Sequence, residues 1–440
     1  MFRIFFFNFS KINNIYKKNM DNNLQVFDNL LNGNNYFIIS IISKAQSSCS
    51  IDTWPRINNI LKYLLKGDKK NLQKECYLGL PNDLPCLRAL IWKINFHYLP
   101  LNTKKWEETL LIKRNEYIEI KKAFLLKIKE EIKIFEEIEE REKKGKLNEK
   151  DDLIILSKNT DRYLLETINK DVNRTRIELD FFIKPVHKMK ISENELSEVI
   201  KRKRDCAYNN FKEVYLKGRE KEKLFQNENH SDVIERILYI YSKLNRDIGY
   251  VQGMNEIVAA IYYCYSCDNT GFINKLNREE CIESDTFWSF SILMDDIKNL
   301  FICEKDKDND GMFGVIEKFE KIIKVCDLEL YNILLKNNIN FIQVCFRWFN
   351  LFFCQEFQIS DILRLWDSFF CDNDRFFFVY CFGVAVMKIK KNKIVGKDMY
   401  GIIQELGNLK INNIQEVIDI AIEIKNQYQN KILSIIKNNK

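Results

Sequence analysis

VIERILYIYSKLNRDIGYVQGMNEIVAAI, residues 233–261, carries the periodicity from which the fold is read. Val233, Ile234, Ile237, Leu238, Tyr241 and Leu244 recur at spacings of three and four, which places them on one face of an α-helix. The stripe breaks at Asp247-Ile248-Gly249 and resumes at Met254, Ile257, Val258 and Ile261. The spacing therefore predicts two helices separated by a break from Gly249 to Gly253, because glycine favours turns over helix interiors.

The same period extends outward. Ile57, Ile60, Leu61, Leu64 and Leu65 form one stripe, and Leu80-Pro81-Asn82-Asp83-Leu84-Pro85 reads as a turn. Leu87, Leu90, Ile91 and Ile94 form the next stripe. In the charged segment 107–152, Tyr117, Ile120, Phe124, Ile128, Ile132, Phe135 and Ile138 predict one long amphipathic helix ending at Gly145-Lys146-Leu147-Asn148. That helix fits either a surface helix with solvated charges or a coiled-coil arm. Leu164, Leu165, Ile168 and Val172 mark another helix, and the charged run from Ser192 to about Arg219 a further one. The stretches 286–301, 341–357 and 361–371 are apolar on nearly all sides, as expected of central helices. No strand-like alternation and no repeat of 20–50 residues emerges, so the expected fold class is all-α and not a solenoid.

Composition agrees. Only 5 prolines and 14 glycines occur in 440 residues, against average usage of roughly 5% and 7%. Apolar residues make up 46%, enough for a large core and incompatible with a disordered chain. The expected organisation is an Asn-rich mobile tail over 1–50, a large helical domain over 51–400 and a C-terminal helical extension over 401–440. The longest apolar run, Phe376 to Met387, spans 12 residues, short of the roughly 18–20 needed to cross a bilayer. The net charge of +7, from 69 basic and 62 acidic residues, comes without a basic block, which argues against nucleic-acid binding. It is compatible with peripheral association with an anionic membrane. Thirteen scattered cysteines fit reduced thiols in a cytoplasmic protein. The single Cys264-x-x-Cys267 pair lacks a second pair at zinc-finger spacing.

Three motifs could carry chemistry. In Ile168-Asn169-Lys170-Asp171-Val172-Asn173-Arg174, a carboxylate three residues before an arginine can hold the guanidinium in one orientation, although an ordinary surface ion pair fits as well. Tyr250-Val251-Gln252-Gly253-Met254-Asn255 puts an amide side chain beside a glycine at a helix start. There Gln252 could orient a water attacking a phosphate, or simply cap the helix. Asp306, Asp308, Asp310 and Gly311, followed by Glu317, have the spacing of an EF-hand calcium loop, but such loops usually pair and only one is present; the expectation is no metal site.

Taken together, the chain resembles the TBC-domain family of Rab GTPase-activating proteins, and within it the member-13-like branch. The likeness runs from about Trp54 to Gln429. Arg88 to Trp92 resembles the family's Arg-x-x-x-Trp element, and Ile168 to Arg174 its Ile-x-x-Asp-x-x-Arg motif. Tyr250 to Asn255 resembles its Tyr-x-Gln-Gly-Met-Asn motif, with Val251 where cysteine is usual. Arg347, Trp348, Arg364, Trp366 and Asp367 resemble its core helices.

The resemblance implies an arginine finger, Arg174, held by Asp171, and a glutamine finger, Gln252, with Tyr250, Gly253 and Asn255 supporting the loop. Arg176 is a neighbour whose spacing from Asp171 does not match the motif. The implied partner is a GTP-bound Rab-family GTPase. That partner brings the nucleotide and Mg²⁺, in keeping with the lack of a Gly-x-x-x-x-Gly-Lys-Ser/Thr loop in this chain. The protein would then be an enzyme activator limiting a vesicle-trafficking step, cytoplasmic or peripheral on endomembranes. The alternatives are a non-catalytic effector or scaffold that binds a Rab, and a calcium-regulated helical adaptor.

Overall fold

The computed structural model describes residues 52–145, 163–186, 228–267, 278–302 and 310–437, with Ile41, Ile42, Ala45, Cys49, Ser50, Lys305, Asp306 and Asp308. The helix expected between Ser192 and Arg219 lies outside the described residues.

Local signals set most helix boundaries. Helix α1 (Trp54–Lys66) starts on Pro55 and stops at Gly67. Helix α2 (Lys69–Tyr77) is capped by Asp68, whose carboxylate accepts the amide of Asn71 at 3.1 Å. Helix α3 (Pro85–Asn95) opens on proline after the predicted turn. Helix α4 (Trp106–Lys143) is the long charged one, α5 covers 163–172, and α6 (His230–Leu244) begins with a capping box of Asn229 and Asp232. Then follow α7 (Met254–Ser266), α8 (Arg278–Ile297), α9 (Met312–Cys326), α10 (Leu328–Lys336), α11 (Phe341–Asn350), α12 (Ile359–Phe369), α13 (Phe377–Ile394), α14 (Met399–Gly407) and α15 (Ile414–Lys437). Among the described residues there is no strand, only an isolated bridge between Pro185 and Asn229. The architecture is all-α.

Helix α13 is buried along nearly its whole length and packs on α9, α12, α14 and α15. Two neighbours expected to be apolar all round are in fact amphipathic. On α11, Phe346 and Arg347 face outward while Trp348 and Phe349 are buried, and α12 turns Ser360 to solvent while burying Leu365 and Trp366. A helix at the edge of the core needs only one apolar face.

Both outer boundaries shift from those expected. Ile41, Ile42 and Ala45 belong to the core, and Ser50 donates its amide to Asp83 Oδ2 at 3.2 Å, so a tail cannot extend to residue 50. A break at 400/401 would cut α14, and α15 buries Val417, Ile418, Ala421 and Ile424 and packs extensively against α13. The last forty residues are thus part of the core rather than an extension.

The charged helix α4 is not a free arm in its first half. It lies along α8 through a buried ionic seam. Arg114 donates Nε and Nη2 to Asp285 at 2.9 and 2.8 Å, with Lys93 at 3.0 Å from the same carboxylate. Tyr117 donates to Glu283 at 2.6 Å, and Arg236 donates two bonds of 2.7 Å to Glu283. Buried charges are tolerated only when paired and hydrogen-bonded in this way.

Candidate functional site

Helix α5 ends at Val172, and residues 173–178 form a turn. Arg174 projects from it with 66% of its side chain exposed, while Asp171 is nearly buried at 7%. Arg174 Nη2 donates to Asp171 Oδ1 at 2.6 Å, and its Nε donates to the Lys170 carbonyl at 3.2 Å. A charge-assisted bond to a fixed carboxylate leaves the rest of the guanidinium free to meet a ligand.

The second loop joins α6 to α7. Gly249 and Gly253 both take left-handed φ, +65° and +106°, and Gln252 is exposed between them. Gly253 is required for a second reason: a Cβ there would stand 2.6 Å from Leu351 Cδ2.

Three side chains join the two loops. Tyr250 donates its hydroxyl to Asp171 Oδ2 at 2.8 Å, so Asp171 holds Arg174 with one oxygen and the glutamine loop with the other. Burial and the Asp171 carboxylate push the Tyr250 hydroxyl far above its usual range, which keeps it a proton donor. Asn255 accepts the Gly253 amide at 3.1 Å and donates Nδ2 to Thr175 Oγ1 at 2.7 Å. Thr175 in turn donates to the Asp171 carbonyl at 2.9 Å. Of the residues singled out in the sequence, Asp171, Arg174, Tyr250, Gly253 and Asn255 are therefore brought into one group, with exposed Gln252 on the same loop.

The remaining residues gather elsewhere. Asp367 is fully buried and accepts from Arg88 Nε at 3.1 Å and Nη2 at 3.1 Å, from Trp92 Nε1 at 2.8 Å and from the Leu80 amide at 2.8 Å. Arg88 also donates to the Leu80 carbonyl at 2.8 Å. Trp366 packs on Trp92 with ring centroids 5.6 Å apart. Helices α3 and α12, which carry this cluster, both pack on α7, and Arg88 lies close to Cys264 near its C-terminal end. At 1.5 Å per residue that end is about 15 Å from Met254, so the cluster seats α7 and does not touch the loops. Arg364 ties α12 to the Tyr77 carbonyl at 2.8 Å, Arg347 pairs with Glu356 at 3.1 Å, and Trp348 is buried against Phe353.

The calcium-like spacing is interrupted by helix α9, which begins at Met312, right after Gly311. Glu317 consequently sits on that helix and pairs with Lys321 at 2.8 Å, while Asp310 accepts from Asn299 at 2.5 Å. Among the described residues, no three His, Cys, Asp or Glu side chains converge on a metal position, and no helix is long and apolar enough to cross a membrane.

Sequence spacing passed over Arg176. It is buried, and its contacts with the turn after α11 lie about 180 positions away in the chain, which no local pattern can reveal.

An all-helical domain presenting an arginine turn and a glutamine loop off one buried aspartate is the arrangement of a TBC domain, and the chain carries one: residues 215–395 match the Rab-GTPase-TBC domain. Over 378 residues it is 29% identical to human TBC1 domain family member 13, spanning 78% of this chain and 92% of that protein. It is 22% identical over 336 residues to the Saccharomyces cerevisiae GTPase-activating protein GYP1, spanning 73% of this chain and 40% of that one. The fold matches the crystal structure of the Ypt/Rab-GAP domain of Gyp1p with a TM-score of 0.56 and 18% identity, covering 84% of this chain and 99% of the other.

Proposed function

We propose that this protein accelerates GTP hydrolysis on a Rab-family GTPase by supplying Arg174 and Gln252 to the nucleotide the partner holds. The observation that carries the reading is the exposed Arg174 guanidinium held at 2.6 Å by Asp171, whose other oxygen receives Tyr250 from the loop bearing exposed Gln252. In phosphoryl transfer, negative charge spreads over the transferring oxygens, and a trans arginine that meets it contributes roughly 10³–10⁵ in rate. Preorganisation by Asp171 means little orientational freedom is lost when the phosphates arrive. Gln252 orients the attacking water. GTP and Mg²⁺ belong to the partner, and the consequence is control of a vesicle-trafficking step in the cytoplasm or at endomembrane surfaces.

The test is single-turnover GTP hydrolysis across a panel of purified Rabs, with wild type, Arg174→Ala and Gln252→Ala. Acceleration of one or a few Rabs, lost in both variants, supports the reading. Tight binding to a GTP-loaded Rab with no acceleration replaces it with the effector reading.

A further inference from the structure

Arg176 occupies a position with no motif role, two residues past Arg174, yet its side chain is almost entirely buried. Its backbone φ is +49°, the left-handed region that a long side chain rarely adopts. Such a conformation persists only where surrounding contacts over-determine it.

Those contacts reach three separate segments. Arg176 Nη1 donates to the Phe357 carbonyl at 2.7 Å, and Nη2 donates to the Cys354 carbonyl. Nε stands 3.1 Å from Glu256 Oε2, on the first turn of α7 directly after the glutamine loop. Burial raises the Glu256 carboxyl's pKa and Arg176 opposes that rise, so the pair compensates itself within the fold. The carbonyls come from the turn after α11, where Phe352 and Phe353 both take positive φ. The same turn supplies Leu351, whose side chain lies against Gly253.

We propose that Arg176 is a positioning residue: a buried clamp that fixes the arginine turn and the glutamine loop on one common base, the 351–357 turn, and so sets the spacing of Arg174 and Gln252. This rests on the role given to those two residues above. The planar guanidinium suits the task because it can meet two carbonyls and a carboxylate at once, which the single ammonium of lysine cannot. The clamp is independent of the Tyr250–Asp171 bond, which orients Arg174 but does not reach the base.

The decisive variant is Arg176→Met with Glu256→Gln, which removes both buried charges and avoids stranding one of them. Two measurements are made on the full chain, beside Arg176→Lys. The first is amide hydrogen exchange. Arg174 and Thr175 in one loop, and Gly253, Met254 and Glu256 in the other, all donate their amides to hydrogen bonds within their own loops. The expected result is faster exchange in both loops together, with α13 as protected as in wild type. The second is single-turnover hydrolysis on an accelerated Rab: the rate at saturation falls about 10²-fold, the size of effect expected of an ångström-scale misplacement. The half-saturating concentration stays the same, and Arg176→Lys does not restore the rate.

Wild-type exchange in either loop overturns the clamp. Faster exchange with an unchanged saturated rate overturns its role in positioning. If wild type accelerates no Rab, the proposed function fails and takes the catalytic part of this inference with it, while the exchange result still decides whether the clamp exists.

Discussion

Replacing Asp367 with alanine tests whether one buried carboxylate seats the glutamine-bearing helix. Asp367 is fully buried and neutralises Arg88, which is itself buried. Removing one partner of a buried ion pair costs about 3–5 kcal/mol, because the other charge is left uncompensated. The change also orphans the Leu80 amide and Trp92 Nε1, each adding at least about 1 kcal/mol. The sum, about 5 kcal/mol or more, is a third or more of the roughly 5–15 kcal/mol that stabilises an ordinary domain. Arg88→Met added to Asp367→Ala should recover only the charge part and leave about 3 kcal/mol, since the Leu80 amide and carbonyl and the Trp92 indole stay unsatisfied. Equilibrium unfolding in guanidinium, followed by tryptophan fluorescence, measures both. A loss below about 1 kcal/mol in the single variant, or full recovery in the double, would refute the reasoning that Asp367 is a multiply bonded hub.

Arg174→Ala should leave stability within about 0.5 kcal/mol of wild type in thermal unfolding, since the side chain is 66% exposed, while lowering the stimulated hydrolysis rate by about 10³ or more. Gly253→Ala should cost about 1–3 kcal/mol, because it combines a φ of +106° with the Leu351 clash. Gly249→Ala, with a φ of +65° and open space around its Cβ position, should cost only about 1 kcal/mol; equal losses in thermal unfolding would contradict the packing argument. Burial alone would raise the Glu283 pKa, but Arg236 and Lys121 outweigh it and bring it down to about 2. A folded-state pKa below the unfolded value gives stability that is present above about pH 4.5 and lost as pH falls toward 2, on the order of 3 kcal/mol. In Glu283→Gln, unfolding measured from pH 5 to 2 should show a flatter dependence on a lower baseline.

The helical class and most helix positions were legible in the chain because the apolar stripes repeat at helical spacing and the breaks carry glycine or proline. The stripes at 233–244 and 254–261 became α6 and α7, and the break between them became the loop bearing Gln252. The motifs around Arg174 and Tyr250 were visible as local patterns, but the bond from Tyr250 to Asp171 spans 79 positions and belongs to the packing. Misjudged boundaries have the same origin: Ile41 and α15 look peripheral in sequence and are buried only because distant helices cover them.

What the sequence determines by itself is everything that depends on near neighbours: helical periodicity, caps, the glycines that permit φ above zero, and the residue types offered at the two loops. What the tertiary structure alone decides is which of several plausible arginines faces solvent and which is buried. Arg174 and Arg176 sit two residues apart on one turn. One is left free beside Asp171, while the other is drawn inward by the Phe357 and Cys354 carbonyls and by Glu256. A guanidinium is buried only where carbonyls and a carboxylate replace its water, and those groups come from parts of the chain that only the fold brings near.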